Sequence, residues 1–582
     1  MKCKEVQNLP QPKRVQTYLT VFYSKNGGKS MNVNYSTTEH KNSEKLTNLE
    51  LSQKWDLTDW KKVEQQVNRL QVRIAKASIN KKHSEVKRLQ YLLTHSFYTK
   101  LLAVKNVTTN KGKNTSGIDG ERWSTPASKM KAVLRLTDKG YKANPLKRVY
   151  IEKKGKKEKR PLGIPTMYDR AMQTLYALAL DAVSESMADN KSFGFRKGRS
   201  CHDACEYIFT ALSRKISPRW ILEGDIKGCF DNISHDWLIE NIPMDKSVLK
   251  QFLKAGFIFK HELFPTEEGT PQGGVISPIF ANMALDGMQL ALDKEFNTNK
   301  KGKVAPYKRP GFKVNLICYA DDFIITAINE DVAQRAKKVI KEFLIDRGLQ
   351  LSESKTKISV IDNGFDFLGW NFRKYKGKLI VKPSKKSIDS FVRSLSDTIL
   401  KQGKSWKQKV LIQKLNQQIR GWANYHQSVV ASEAFSRIDF VLYNLLYHWA
   451  KRRHSKKGKY FVTAKYWRRI ANRSWVFATN GIALLRVDHI PIVRHIKVQM
   501  NVNPYIDVEY FAERKFKLGM RRLSGRFKHV WEKQNGKCFH CRMPLDIMEE
   551  RTIYFKIPKF EGGQEIVTNM AYVHNYCNTL NK

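Results

Sequence analysis

Cysteine is scarce in this chain, with 8 among 582 residues. That scarcity excludes a disulfide-stapled secreted scaffold and points to a reducing compartment. Long apolar runs are missing too. None approaches the roughly 18 residues that a membrane-spanning helix requires. Met1-Lys2-Cys3-Lys4-Glu5 opens no apolar stretch for a secretory signal. Acidic residues are few: Asp+Glu 54 against Lys+Arg 105, a net charge of +51. Such an imbalance calls for a polyanionic partner. RNA or DNA fits better than an anionic membrane surface, because no amphipathic anchor stands out.

The hydrophobic fraction of 41% is ordinary for a globular protein. The length allows about three or four domains of roughly 150 residues each. Residues 1–54 read as a flexible basic extension, rich in Ser, Thr and Asn and compatible with a processed organellar address. Beyond it, Val63, Val67, Leu70, Ile74 and Ala77 recur at helical spacing. Val86, Leu89, Leu93, Phe97 and Leu101 repeat that stripe after a break at Ile79-Asn80-Lys81. Residues 115–375 alternate short strand candidates with helices, which predicts an α+β arrangement. Trp220 to Ile226 reads as a strand ending in a carboxylate, and Phe365 to Trp370 as another strand. Residues 384–450 are helical, with stripes at Leu411, Leu415, Ile419, Trp422 and at Val441, Leu442, Leu445, Trp449. Residues 451–530 are dense in Lys and Arg, interleaved with Tyr460, Phe461, Tyr466, Trp467 and Trp475.

The most informative element is Tyr319-Ala320-Asp321-Asp322, flanked by Leu316-Ile317-Cys318 and Phe323-Ile324-Ile325. Two adjacent carboxylates in a β-prone apolar stretch are costly unless something offsets their charge. In one regular strand they would point to opposite faces. A tight hairpin turn brings both to one cation, so the stretch predicts a metal-bearing hairpin. Asp225, at the end of the earlier strand, supplies a third carboxylate, with Asp231 as a nearby alternative. Three such groups suit two hard cations roughly 3.5–4 Å apart that clamp the oxygens of a phosphoryl transfer.

At this point the chain closely resembles the reverse transcriptase–maturases encoded by group II introns, from about residue 55 to 582. The motifs stand in order. They are Ser116-Gly117-Ile118-Asp119-Gly120, Arg160-Pro161-Leu162-Gly163-Ile164-Pro165 and Ser192-Phe193-Gly194-Phe195-Arg196, then Asp225 through Asn232. Thr270-Pro271-Gln272-Gly273-Gly274, the Asp-Asp hairpin, Leu349 through Lys357 and Phe367-Leu368-Gly369-Trp370 complete the series. Arg420-Gly421-Trp422-Ala423-Asn424-Tyr425-His426 matches the family's thumb signature. The resemblance implies a multidomain α+β protein. Right-hand polymerase fingers and palm, with a helical N-terminal extension, would span 55–375. An α-helical thumb (domain X) would span 376–455, a basic DNA- or RNA-binding region 456–530, and a zinc-ribbon/HNH-like tail 531–582.

The resemblance also implies roles. Asp225, Asp321 and Asp322 would hold two Mg²⁺ ions. Phe230 would be the steric gate that rejects a 2′ hydroxyl. Gln272 and Gly273 would line the incoming dNTP. Arg160 and a lysine, Lys153 or Lys154, would meet its triphosphate, with Lys355 a further candidate. Arg420, Tyr425, Lys451, Arg452 and Arg453 would contact intron RNA. The expected partners are the group II intron RNA, target DNA or template–primer, and dNTPs. The setting would be a bacterial cytoplasm or an organelle matrix. Two other readings compete: a splicing-only maturase with a vestigial polymerase, and a retron-like polymerase without splicing function.

The tail departs from the family. Cys538-x-x-Cys541 and His574-x-x-Cys577 have zinc spacing, with His574 either a fourth ligand or part of a remnant nuclease helix. Where related HNH modules carry an adjacent histidine pair, this chain has Tyr554-Phe555 before Lys556-Ile557-Pro558. Neither side chain can replace a histidine as general base or as a ligand to the catalytic metal. The expectation is a degenerate endonuclease that keeps its fold.

Overall fold

The computed structural model describes residues 46–152, 159–298, 304, 311–470, 473–521, 523, 525–545, 551–558, 561–574 and 577–578. The expected extension over 1–45 and the triphosphate candidates Lys153 and Lys154 therefore lie outside the described residues. Among the described residues no helix is long and apolar enough to cross a membrane.

The N-terminal part is helical, as its periodicity predicts. Helix Trp60–Ile79 starts on Asp59, whose side chain accepts the Lys62 N–H, and buries Val63, Val67, Ile74 and Ala77. The next stripe differs from expectation. Ser96 divides it into helices His83–His95 and Phe97–Thr109, and Phe97 faces solvent at the start of the second.

Two four-stranded sheets follow. The first has the order Lys159–Ile164, Leu146–Glu152, Phe257–Phe259, Glu262–Phe264. The second has the order Asn315–Tyr319, Asp322–Ala327, Trp220–Asp225, Lys357–Val360, with every neighbour antiparallel. This second sheet is covered on both faces, so its strands read as continuous apolar runs. Leu222, Leu316, Phe323 and Ile325 join one core with the N-terminal helices and helix Met167–Met187. Their alternates Ile221, Ile317 and Ile324 join another core with helices Gln408–His426 and Ser432–Arg453.

Three elements depart from the sequence reading. Phe365 to Trp370 is two strands, Phe365–Phe367 and Trp370–Tyr375, turned at Leu368 and Gly369, both in left-handed backbone. In helix Ser432–Arg453 the buried stripe runs through Ile438, Leu442, Leu446 and Trp449, with Leu445 only half-buried. The basic stretch 456–530 does not close on itself. Its Trp467, Phe477, Val487 and Val498 lie in the same core as the 408–453 helices, and Tyr505 packs among the N-terminal helices. The last described piece is a small separate core around Trp531, Cys538, Tyr572 and Val573, built on strands Arg551–Phe555 and Met570–His574.

Candidate active site

The Asp-Asp hairpin forms as its flanks predict. Strands Asn315–Tyr319 and Asp322–Ala327 pair with Tyr319 opposite Asp322, leaving Ala320 and Asp321 as the turn. Ala320 takes φ +56°, a left-handed conformation that few non-glycine residues adopt. Asp322 also stands directly opposite Asp225 on the neighbouring strand. Opposed residues share a face, with Cβ atoms roughly 4.5–5.5 Å apart. Asp231, the alternative to Asp225, sits beyond the strand on the turn Cys229–Asn232 and accepts a bond from Gln272 Nε2 at 2.9 Å.

Three carboxylates so arranged repel one another, and Asp321 and Asp322 record it in raised pKa values. Burial, then the charges of Asp321 and Asp225, push Asp322 up to about 6. Burial raises Asp321 as well; its own backbone bond opposes this, Asp225 adds to it, and Lys355 and Arg160 pull the other way. The Cys229 thiol beneath them is pushed up to about 12 by burial and by the charges of Asp321, Asp231 and Asp225. This donor set, all hard oxygen, fits a divalent cation such as Mg²⁺.

Lys355, the further triphosphate candidate, lies at the carboxylates themselves: its ammonium is 2.6 Å from Asp225 Oδ2. The segment is fixed there by bonds from Ser352 N to the Asp225 carbonyl (2.8 Å) and from Lys227 N to the Gln350 carbonyl (2.9 Å). A lysine at that position offsets one of three negative charges.

The remaining motif residues gather around the same sheet end. Phe230 is half-buried on the short turn that follows Asp225. Its carbonyl accepts the Thr270 N–H at 2.6 Å, so the Thr-Pro-Gln-Gly-Gly loop is seated on that turn. The Gln272 carbonyl accepts the Gly163 N–H at 2.8 Å, which ties the loop to strand Lys159–Ile164. Gly273 has φ +112°, and an added Cβ would stand 2.9 Å from the Gly163 carbonyl oxygen, so only glycine fits this crossing. Arg160 is exposed on the same strand, and its charge reaches Asp321.

The expected RNA contacts divide. Arg420 and Arg452 are exposed. Lys451 donates to the Lys457 carbonyl at 2.6 Å. Arg453 lies over the Trp449 ring at 4.0 Å and donates to the Lys404 and Trp406 carbonyls at 2.9 and 2.7 Å. Tyr425 corrects the expectation. It stacks on the buried Trp370 (4.7 Å, 4°) and donates to the Leu368 carbonyl at 2.7 Å, so both ring and hydroxyl serve packing. Trp422 likewise stacks on Phe391 at 4.7 Å and 1°.

In the tail, Cys538, Cys541, His574 and Cys577 converge, with all four donor atoms within 4.8 Å of one another. Zn–S bonds of about 2.3 Å make a tetrahedron with edges of about 3.8 Å, so zinc could be held here. His574 Nε2 lies 3.2 Å from the Pro544 carbonyl; a proton on that nitrogen leaves Nδ1 for the metal. Burial opposes ionisation of Cys538, yet backbone bonds from Cys541, His574 and His540 outweigh it and lower the thiol's pKa. Tyr554 packs edge-on against His540 at 4.7 Å.

Two features escaped the sequence reading. Glu185, Arg196 and Arg199 form a buried ion cluster, and Phe195 stands edge-to-face with Phe230. The Phe-Gly-Phe-Arg motif was visible, but nothing local pairs it with a glutamate one helix earlier.

Comparison with known families agrees on three stretches. The model described as reverse transcriptase (RNA-dependent DNA polymerase) matches residues 151–372. The N-terminal domain of reverse transcriptase matches 55–136, and the group II intron, maturase-specific domain matches 388–467. The chain is 30% identical over 452 residues to group II intron-encoded protein LtrA of Lactococcus lactis, covering 63% of this chain and 74% of that protein. It is 30% identical over 301 residues to protein YkfC of Escherichia coli, covering 46% of this chain and 78% of that one. A 91 kDa protein in the cob intron of Schizosaccharomyces pombe is 29% identical over 320 residues, or 46% and 39% of the two chains.

Proposed function

From a chain that belongs to the group II intron-encoded reverse transcriptase–maturases, we propose an RNA-directed DNA polymerase that also binds its own intron RNA and promotes that RNA's splicing. The observation that carries the polymerase reading is the register of Asp225 against Asp322, with Asp321 in the adjoining turn. A splicing cofactor needs no such convergence of repelling carboxylates. A bound cation would offset the mutual repulsion that helps raise the pKa values of Asp321 and Asp322.

Asp225, Asp321 and Asp322 would hold two divalent ions, which would supply the Lewis acidity that activates a primer 3′ hydroxyl and offsets the charge of the leaving pyrophosphate. Arg160 meets the triphosphate of the incoming dNTP. Gln272 and Gly273 bring backbone and amide close to it. Phe230 crowds the 2′ position and so selects deoxynucleotides. Arg420 and Arg452, with the lysines and arginines of 451–475, neutralise phosphates of intron RNA or of target DNA. Splicing chemistry itself stays with the RNA. The test is dTTP incorporation from an oligo-dT primer on poly-rA with Mg²⁺. Incorporation supports the reading; none, in a preparation that still promotes splicing of the adjacent intron, leaves a splicing-only maturase.

The tail is read as a zinc-stabilised endonuclease fold that has lost its chemistry. Metal analysis of the purified protein is expected to find about one zinc per chain, reduced by Cys541→Ser, because structural zinc sites of this type contribute folding energy outright. Loss of zinc is expected to make residues 525–578 protease-sensitive while primer extension persists. Metal-dependent nicking of duplex DNA that disappears on Cys538→Ala would contradict the loss of chemistry.

A further inference from the structure

Phe195 is an anomaly of position. It is 56% exposed and takes φ +56°, while its neighbour Phe193 is 1% exposed and packs on Tyr207 at 5.3 Å. Burial does not explain Phe195, and a bulky residue in left-handed backbone is strained unless its surroundings hold it there.

The surroundings do hold it. On one side, the Phe193 N–H donates to the Cys318 carbonyl at 3.0 Å and the Cys318 N–H to the Lys191 carbonyl at 2.9 Å. Residues 191–193 thus lie as a short parallel edge along the strand that leads into the Asp-Asp turn. Gly194 then touches that turn directly: an added Cβ would stand 2.3 Å from Ala320 N, and the Gly194 carbonyl accepts Asn282 Nδ2 at 2.9 Å. On the other side, the buried Arg196 donates to Glu185 at 2.8 and 2.6 Å and to the Asp189 and Ser192 carbonyls at 2.6 and 2.8 Å. Between these anchors the Phe195 ring is set 6.2 Å from the Phe230 ring at 84°.

We propose that Phe195 is a positioning residue for sugar discrimination: anchored to the catalytic turn, it fixes the orientation of the Phe230 ring that screens the 2′ position of the incoming nucleotide. The proposal rests on the reading of Phe230 as the gate. Phe230 sits on a turn of one helical cycle and is only half-buried, so its own packing leaves its ring room to tilt. The edge-to-face contact removes that freedom. Since Gly194 and Ala320 touch, the ring is referenced to the same backbone that carries Asp321.

The test compares kcat/KM for dTTP and for UTP in primer extension on poly-rA by the full-length protein. Phe195→Ala is expected to lower the dTTP-to-UTP preference by up to about tenfold, the size of one edge-to-face contact, chiefly through better use of UTP. Phe195→Tyr, which keeps the ring edge, is expected to restore the preference. In a Phe230→Ala background, adding Phe195→Ala is expected to change the preference no further. A Phe195→Ala protein that loses dTTP and UTP use in parallel, or effects of the two substitutions that simply multiply, overturns the proposal. Phe230→Ala with an unchanged preference overturns instead the gate on which it rests.

Discussion

Asp321→Ala abolishes primer extension on poly-rA, by at least about 10³-fold, which is about 4 kcal/mol of transition-state stabilisation, and leaves intron-RNA binding at the wild-type level. Asp321 occupies the turn, where it pairs with no strand neighbour and supports no core. Its removal relieves repulsion on Asp322, so the fold is expected to hold. The RNA-facing candidates Arg420 and Arg452 lie on helices Gln408–His426 and Ser432–Arg453, whereas Asp321 lies on the hairpin turn. Asp225→Asn and Asp322→Asn are expected to cost about as much, and the three together little more, because ligands of one site act as a unit. A filter-binding measurement alongside dTTP incorporation separates the two activities. Equal loss of both would mean that the hairpin organises the RNA surface, and the division of labour proposed above would fall.

The second large effect is structural. Glu185→Ala is expected to destabilise the protein by about 3–5 kcal/mol, because it leaves buried arginines without their counter-charge. The Glu185 side chain is 2% exposed, and its Oε1 receives Arg196 at 2.6 Å and Arg199 at 3.1 Å, whose side chains are 5% and 2% exposed. Arg199 also donates to the Val502 carbonyl at 3.1 Å, so the cluster fastens the chain near 500 to the loop that carries Phe195. A urea midpoint measured for both proteins checks this. A shift worth less than about 1 kcal/mol would make the cluster no stronger than a surface pair.

The parts of this architecture that were legible in the sequence share one property: their chemistry is local. The Asp-Asp hairpin announced itself because two acids stood between apolar β-formers, and a turn was the one way to satisfy both. The zinc cluster had its spacing. Helices around Val63 and Leu411 had their stripes. What stayed hidden depends on distant partners. Nothing near Tyr425 says that Trp370 will stack on it and Leu368 accept its hydroxyl. Nothing near Lys355 says that Asp225 will be its neighbour. The strand break at Leu368 and Gly369 was masked because apolar and aromatic residues continue on both sides of it. The basic stretch after 456 looked like a separate module because charge dominates its composition, while the few apolar residues that anchor it, Trp467, Phe477, Val487 and Val498, are spread thinly along it.

The sheet that carries the carboxylates has a back as well as a front. Ile221, Ile317 and Ile324 press it against the same apolar mass that holds the 408–453 helices and the chain beyond them. A clamp that grows from the anvil cannot swing away from it without tearing open that shared interior. Any displacement of those helices is therefore felt at the sheet that carries Asp225 and Asp322.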